Sequence, residues 1–122
     1  MAKYALLLGG ADLDKRASNP ELAARIYEKF SSWLSSVRER GYAVEPHKLR
    51  DQSGVRLSVR GGQVVEGPFM ETKEAVGGLA FVEAATLEEA VALARSCPVL
   101  ELQNGYVEIR VVEEPRRPGP DR

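Results

Sequence analysis

Three carboxylates, a lysine, a proline and three glycines fall within the thirteen residues Glu66-Gly67-Pro68-Phe69-Met70-Glu71-Thr72-Lys73-Glu74-Ala75-Val76-Gly77-Gly78. A plain connector needs none of this chemistry. Glu66 is the first candidate for acid–base work. A carboxylate pressed against an apolar surface has a raised pKa, because desolvation disfavours its charged form. That tuning prepares it for proton transfer near neutral pH. Glu66 can equally accept backbone N–H bonds and fix the Gly67-Pro68 turn, and the sequence leaves both roles open. Lys73 can neutralise a substrate carboxylate. Alternatively, Glu71, Lys73 and Glu74 form a local ion-pair set, worth about 0–1 kcal/mol at a surface.

His47 is the only histidine in the chain. It can serve as a general base, or hold an anion when protonated; a rim histidine on a strand is the plainer alternative. Phe69 and Tyr4 either line an apolar pocket or belong to the core. With Phe69, Tyr4 and Lys73, Glu71 completes the set of candidate substrate contacts. Gly77-Gly78 is not a phosphate loop: no Lys-Ser/Thr pair follows, and the chain runs into a strand instead of a helix. No serine sits in a nucleophile-elbow context. One histidine and the single Cys97 make neither a zinc set nor a disulfide. The chemistry on offer calls for no metal and no cofactor.

The elements that must position these residues follow from periodicity. Lys3 to Gly10 reads as a strand with both faces apolar, Tyr4, Leu6 and Leu8 on one and Ala5 and Leu7 on the other, which predicts a strand covered on both sides. Asn19 caps a helix that Pro20 opens. Leu22, Ile26, Phe30, Trp33, Leu34 and Val37 form its apolar stripe, and Gly41 stops it. Tyr42 to Leu49 is a second strand, and Pro46 assigns it to an edge or a bend.

Val55 to Arg60 alternates, and Gly61-Gly62 is a two-residue hairpin signal. The return strand is Gln63 to Glu66. In that register Arg60 faces Gln63, Val59 faces Val64 and Leu57 faces Glu66. Directly opposed residues share a face, so Glu66 points to the side of Val55, Leu57, Val59 and Val64. Leu79 to Glu83 is a short strand. Thr86-Leu87-Glu88-Glu89 has the form of a capping box, starting a helix with Leu87, Ala90, Val91 and Ala94 inward and an end near Cys97. Gly105 to Glu113 is the last strand.

Strand, helix, two or more strands, helix, strand is the α+β, ferredoxin-like split-βαβ order. It places both helices on one face of an antiparallel sheet. The second apolar face then predicts a second subunit, giving a homodimer with a dimeric α+β barrel and the site between its sheets. Residues 1–114 form one domain, and 115–122, with its prolines, reads as a tail.

The whole chain agrees with these expectations. Its 122 residues suit one core. A 43% hydrophobic and 29% charged composition is that of a globular protein. A net charge of −1 without a basic stripe excludes the usual footprint of a nucleic-acid partner. No apolar run approaches the roughly 18 residues of a membrane span. The run Tyr4 to Leu8 is too short for a signal-peptide core, and a cytoplasmic location is expected.

The thirteen-residue stretch resembles the motif of the YCII-related family, in its DGPF branch. That pattern is an acid, Gly-Pro-Phe, any residue, Glu, a small residue, Lys-Glu, two variable residues and Gly-Gly. The family's leading aspartate is Glu66 here, with the carboxylate about a methylene further out. Weaker agreement extends over Asn19-Pro20-Glu21, Gly41, Leu49, the helix after Thr86, Cys97-Pro98 and Val107-Glu108-Ile109-Arg110. The resemblance implies a dimeric α+β barrel. It implies no settled activity. Some relatives are thought to act on small unsaturated or chlorinated acids, and others suggest a setting linked to alternative sigma factors. Two functions follow as expectations. One is a cofactor-free lyase, dehydrohalogenase or isomerase acting on a small organic acid, with Glu66 and His47 as acid and base. The other is a non-catalytic dimer binding a small ligand or a protein.

Overall fold

Asn19 opens the first helix as its type predicts. Its side chain accepts from the Leu22 backbone N–H at 3.1 Å, and Pro20 occupies the first turn. The computed structural model describes residues 1–10, 19–50, 54–67 and 76–115. Over these the order is β1 (Ala2–Gly9), α1 (Pro20–Glu39), β2 (Val44–Lys48), β3 (Leu57–Arg60), β4 (Gln63–Glu66), β5 (Val76–Ala84), α2 (Leu87–Arg95), a 3₁₀ turn (Pro98–Glu101) and β6 (Tyr106–Val111).

Four strands form one antiparallel sheet in the order β2-β5-β1-β6. With both helices against one face, this is the ferredoxin-like arrangement expected from the sequence. The β3–β4 hairpin is a separate two-stranded sheet, inserted between the edge strand β2 and its neighbour β5. Pro46 lies in β2 at the sheet edge, where a missing N–H costs no ladder bond.

Strand pairing fixes which residues share a face. Leu6 stands opposite Ala80 and Ile109, and Tyr4 opposite Val82. These residues face the helices. Leu6 and Val82 are fully buried. They meet Trp33 and Val37 of α1 and Ala90, Leu93 and Ala94 of α2 in one core. Burying a Leu or Val side chain contributes about 1.5–3 kcal/mol, so this contact is what docks both helices. Trp33 is core, as the helical stripe predicts. Its indole Nε1 donates to the Leu93 carbonyl at 3.3 Å and to Ser96 Oγ at 3.0 Å.

Three expectations need correction. β5 runs over nine residues and takes in Gly77-Gly78, which the sequence assigns to the preceding loop. Leu87, expected inward, is 43% exposed, and Leu93 is buried in its place. Both sets have helical spacing. Leu87 sits in the first turn, above the core, whereas Ala90, Leu93, Ala94 and Cys97 continue over it. The Thr86 cap forms, its hydroxyl accepting from the Glu89 N–H at 3.2 Å. The Glu89 carboxylate instead accepts from the Tyr42 hydroxyl at 2.9 Å.

Candidate functional site

The helix-side layer is not filled from end to end. Between the first half of α1 and the β2–β5 edge lies a cleft of about 690 Å³. That volume falls within the range of small-molecule sites, roughly 300–1,000 Å³. Its walls are Leu8, Ile26, Phe30 and Leu34, with Ala23, Ala24 and Tyr27 at the helix side. Its floor is the strand segments 46–48 and 77–80. The vacancy has a local cause. Ala23 and Ala24 are short, and Gly77 and Gly78 carry no side chains, so the helix and sheet approach without filling the space between them. Gly78 is further constrained, because an added Cβ would lie 3.1 Å from the His47 carbonyl oxygen. The two glycines that close the thirteen-residue motif are therefore part of the cleft floor.

Alternation along β2 sorts the polar groups. Pro46 pairs with Ala80 and Lys48 with Gly78, both on the helix side. Among the described residues Lys48 is the cation of the cleft wall, and its ammonium donates to the Leu49 carbonyl at 3.1 Å. His47 pairs with Leu79 on the opposite face. Its imidazole meets the Phe81 ring edge-on, centroids 6.2 Å apart, and its Nε2 lies 2.6 Å from a Glu45 carboxylate oxygen. The imidazole and the cleft are thus on opposite sides of one strand.

The hairpin has the predicted register. Leu57 stands opposite Glu66, Val59 opposite Val64 and Arg60 opposite Gln63. Gly61 and Gly62 take φ of +57° and +78°, the conformation a two-residue turn demands. Glu66 shares a face with Leu57, Val59 and Val64, but these are 65%, 71% and 69% exposed, and Glu66 is exposed too. The apolar side that was to desolvate Glu66 has no cover among the described residues.

The profile of the YCII-related domain matches residues 12–116, which takes in every described element after β1. The chain belongs to the YCII-related family. Comparison with curated proteins gives no match.

Within this YCII-related chain the candidate residues are spread over three places. Glu66 is on the hairpin and His47 on the open sheet face. Tyr4 is 5% exposed and packs in the core, and it is not among the described residues that line the cleft. Phe69, Glu71 and Lys73 lie outside the described residues. Lys48 and the Ala23–Tyr27 side of α1 were not singled out from the sequence. The signal for Lys48 was present: it has the same strand parity as Pro46, one step from the histidine that drew attention.

Among the described residues three titratable groups are shifted. Burial pushes the Cys97 thiol up to about 11, against a weaker opposing hydrogen bond from the Val99 backbone. The Tyr42 hydroxyl is raised, first by its hydrogen bond to Glu89. Tyr106 is raised by burial and then by Glu108. Tyr106 lies over Gly9, where any Cβ would collide with its ring. The ring leaves room only for glycine at position 9.

Proposed function

We propose that this chain, of the DGPF branch of its family, binds a small organic acid with an unsaturated or aromatic body in the helix-side cleft. The observation that carries the reading is the cleft itself, an apolar space bounded by Ile26, Phe30, Leu34 and Leu8 with, among the described residues, one ammonium, that of Lys48, on its wall. Apolar walls take the body of such a ligand, and a few placed polar groups fix its orientation. Lys48 is the carboxylate partner in this reading, with Lys73 of the adjoining motif as a second.

Turnover of the bound acid is proton transfer in the manner of a lyase, dehydrohalogenase or isomerase, without a cofactor. Glu66 and His47 are the donor and acceptor candidates. A specific observation favours the non-catalytic alternative, a ligand- or protein-binding dimer in a regulatory setting: within one chain the His47 imidazole faces away from the cleft and Glu66 sits on the hairpin. A homodimer is part of either reading. The open sheet face presents Ala5, Leu7, Leu79 and Phe81, all part-exposed, inside a rim of Lys3, Glu45, Glu83, Glu108 and Arg110. An apolar centre with a charged rim has the anatomy of an interface.

A thermal-shift screen with benzoate, cinnamate and unsaturated dicarboxylates tests the cleft. At least one acid should raise the melting temperature, and Ala24→Trp, which fills the space from the helix, should abolish the shift while leaving the circular dichroism unchanged. A screen with no hit, or a hit that survives Ala24→Trp, removes the cleft as the site. NMR of a bound acid in D₂O separates the two functions. Deuterium uptake lost in Glu66→Gln or His47→Gln is the enzyme; binding without uptake is the binding module.

A further inference from the structure

Among the described residues the β3–β4 hairpin has no partner strand in its own chain: its two strands pair with each other and with no third strand. Lys48 pairs with Gly78, and the Leu49 N–H donates to the Gly77 carbonyl at 3.0 Å. The chain therefore leaves the sheet and returns to it at one corner, and the hairpin is the excursion between. Its base is tied by the Gly67 N–H on the Arg56 carbonyl at 2.7 Å.

The arm is two-sided. Val55, Leu57, Val59 and Val64 form one face, each 64% to 71% exposed. Arg56, Ser58, Arg60, Gln63 and Val65 form the other, where Ser58 and Val65 are half-buried. An isolated two-stranded hairpin is marginal in water, and stability requires its apolar face to be covered. Four adjoining aliphatic side chains left in solvent mark a docking surface.

We propose that this face is covered by a second copy of the chain, and that the hairpin is a dimerisation arm reaching past the edge of the sheet interface. The proposal rests on the homodimer of the preceding section and adds to it the element that holds it together. Two arguments select a second copy. The first is area. The open sheet face spans four strands at about 4.8 Å and some five residues at about 3.3 Å, a footprint of roughly 320 Å². Even doubled for side-chain relief it falls short of the roughly 800 Å² per partner in a stable interface. Four large aliphatic residues on an arm supply what the face lacks.

The second argument is continuity and reach. The arm leaves the sheet at the His47–Leu79 end of the open face, so both surfaces can engage one body. Packed sheets stand about 10 Å apart, whereas the six residues from Val55 to Arg60 extend roughly 20 Å. An arm of that length crosses the gap and lies on the protomer beyond. A two-fold axis repeats the contact, so each copy gives an arm and receives one. Glu66 lies on the docking face of the arm. The second copy then supplies the cover that a single chain does not, and Glu66 joins the interface.

Sedimentation equilibrium on the full chain tests this, with Val59→Asp/Val64→Asp on the docking face and Gln63→Glu on the opposite one. The wild-type chain should dimerise. The double variant should weaken the dimer by about a hundredfold, roughly tenfold for each buried aliphatic lost, and Gln63→Glu by less than about threefold. Unchanged circular dichroism and Trp33 fluorescence show that the monomer remains folded. A photo-reactive residue at position 59 should cross-link two chains. Equal dimer affinity in the double variant and the wild type overturns the arm and leaves the sheet-face dimer standing. A monomeric wild type overturns both. Cross-links confined to one chain mean that the arm folds back on its own protomer, and they also overturn the proposal.

Discussion

The two faces of the four-stranded sheet are built from the same strands by alternate residues, yet they differ in kind. On the helix side, Leu6 and Val82 have no exposure and Ala80 has 1%. On the other side their immediate neighbours Ala5, Leu7, Leu79 and Phe81 remain part-exposed, ringed by charged residues. Helix-side residues therefore hold the chain together, and open-face residues are left for the proposed second copy to cover. The helix side is also where packing stops short, over Gly77-Gly78, and that gap is the cleft. Side chains decide both matters: their presence closes the core, and their absence opens the cleft.

The largest test of this difference is a pair of adjacent substitutions. Leu6→Ala should cost about 3–5 kcal/mol in urea unfolding, because it removes a fully buried side chain and leaves a cavity. Leu7→Ala, one residue on, should cost less than about 1 kcal/mol for the monomer and should weaken self-association. Equal losses at the two positions would mean that the open face is as buried as the core.

Cys97 extends the comparison through pH. The thiol is 1% exposed on the helix side, and burial raises its pKa from 9.0 to about 11. A raised acid holds its proton in the fold while the unfolded chain releases it. Its contribution is intact below pH 9 and is lost as pH rises from 9 through 11. At about 1.4 kcal/mol per unit the loss reaches about 2–3 kcal/mol. Cys97→Ala should remove that part of the alkaline slope. An unaltered slope in the variant would show that the thiol is not what titrates.

How much of this the sequence carried depends on the range of the cause. The hairpin register was legible because Gly61-Gly62 fixes it locally, and both glycines take the expected positive φ. The α1 start was legible from Asn19-Pro20 for the same reason. The cleft was not, because it arises where small residues on α1 and β5 face each other, far apart in sequence. Gly77-Gly78 attracted notice as part of a motif, but their reading as loop hid the strand that places them on the cleft floor. Glu66 was assigned to its correct face. What covers that face is a question of partners, and alternation along one chain cannot answer it.

A smaller effect is expected at the cap of α2. Thr86→Ala removes the bond from the Glu89 N–H and should cost about 1 kcal/mol. It acts on the helix that closes the core, so it should lower the melting temperature without changing the dimer constant.

The smallest effect is expected on the open face, and it is the most sensitive to what lies against that face. Arg110 donates from Nη1 to a Glu108 carboxylate oxygen at 3.2 Å, with the two side chains 67% and 55% exposed. Such a pair sits in water and is screened by salt, so Arg110→Ala should change stability by less than about 0.5 kcal/mol. The measurement should be repeated across protein concentration. In the monomer range the small value should hold, since nothing then desolvates the pair. In the proposed dimer Arg110 lies at the rim of the covered face, and its loss should leave Glu108 partly desolvated without its partner. The cost should then rise with concentration. A cost that is small at every concentration would place Glu108 and Arg110 outside any interface and would confine the contact to the β2–β5 side of the sheet.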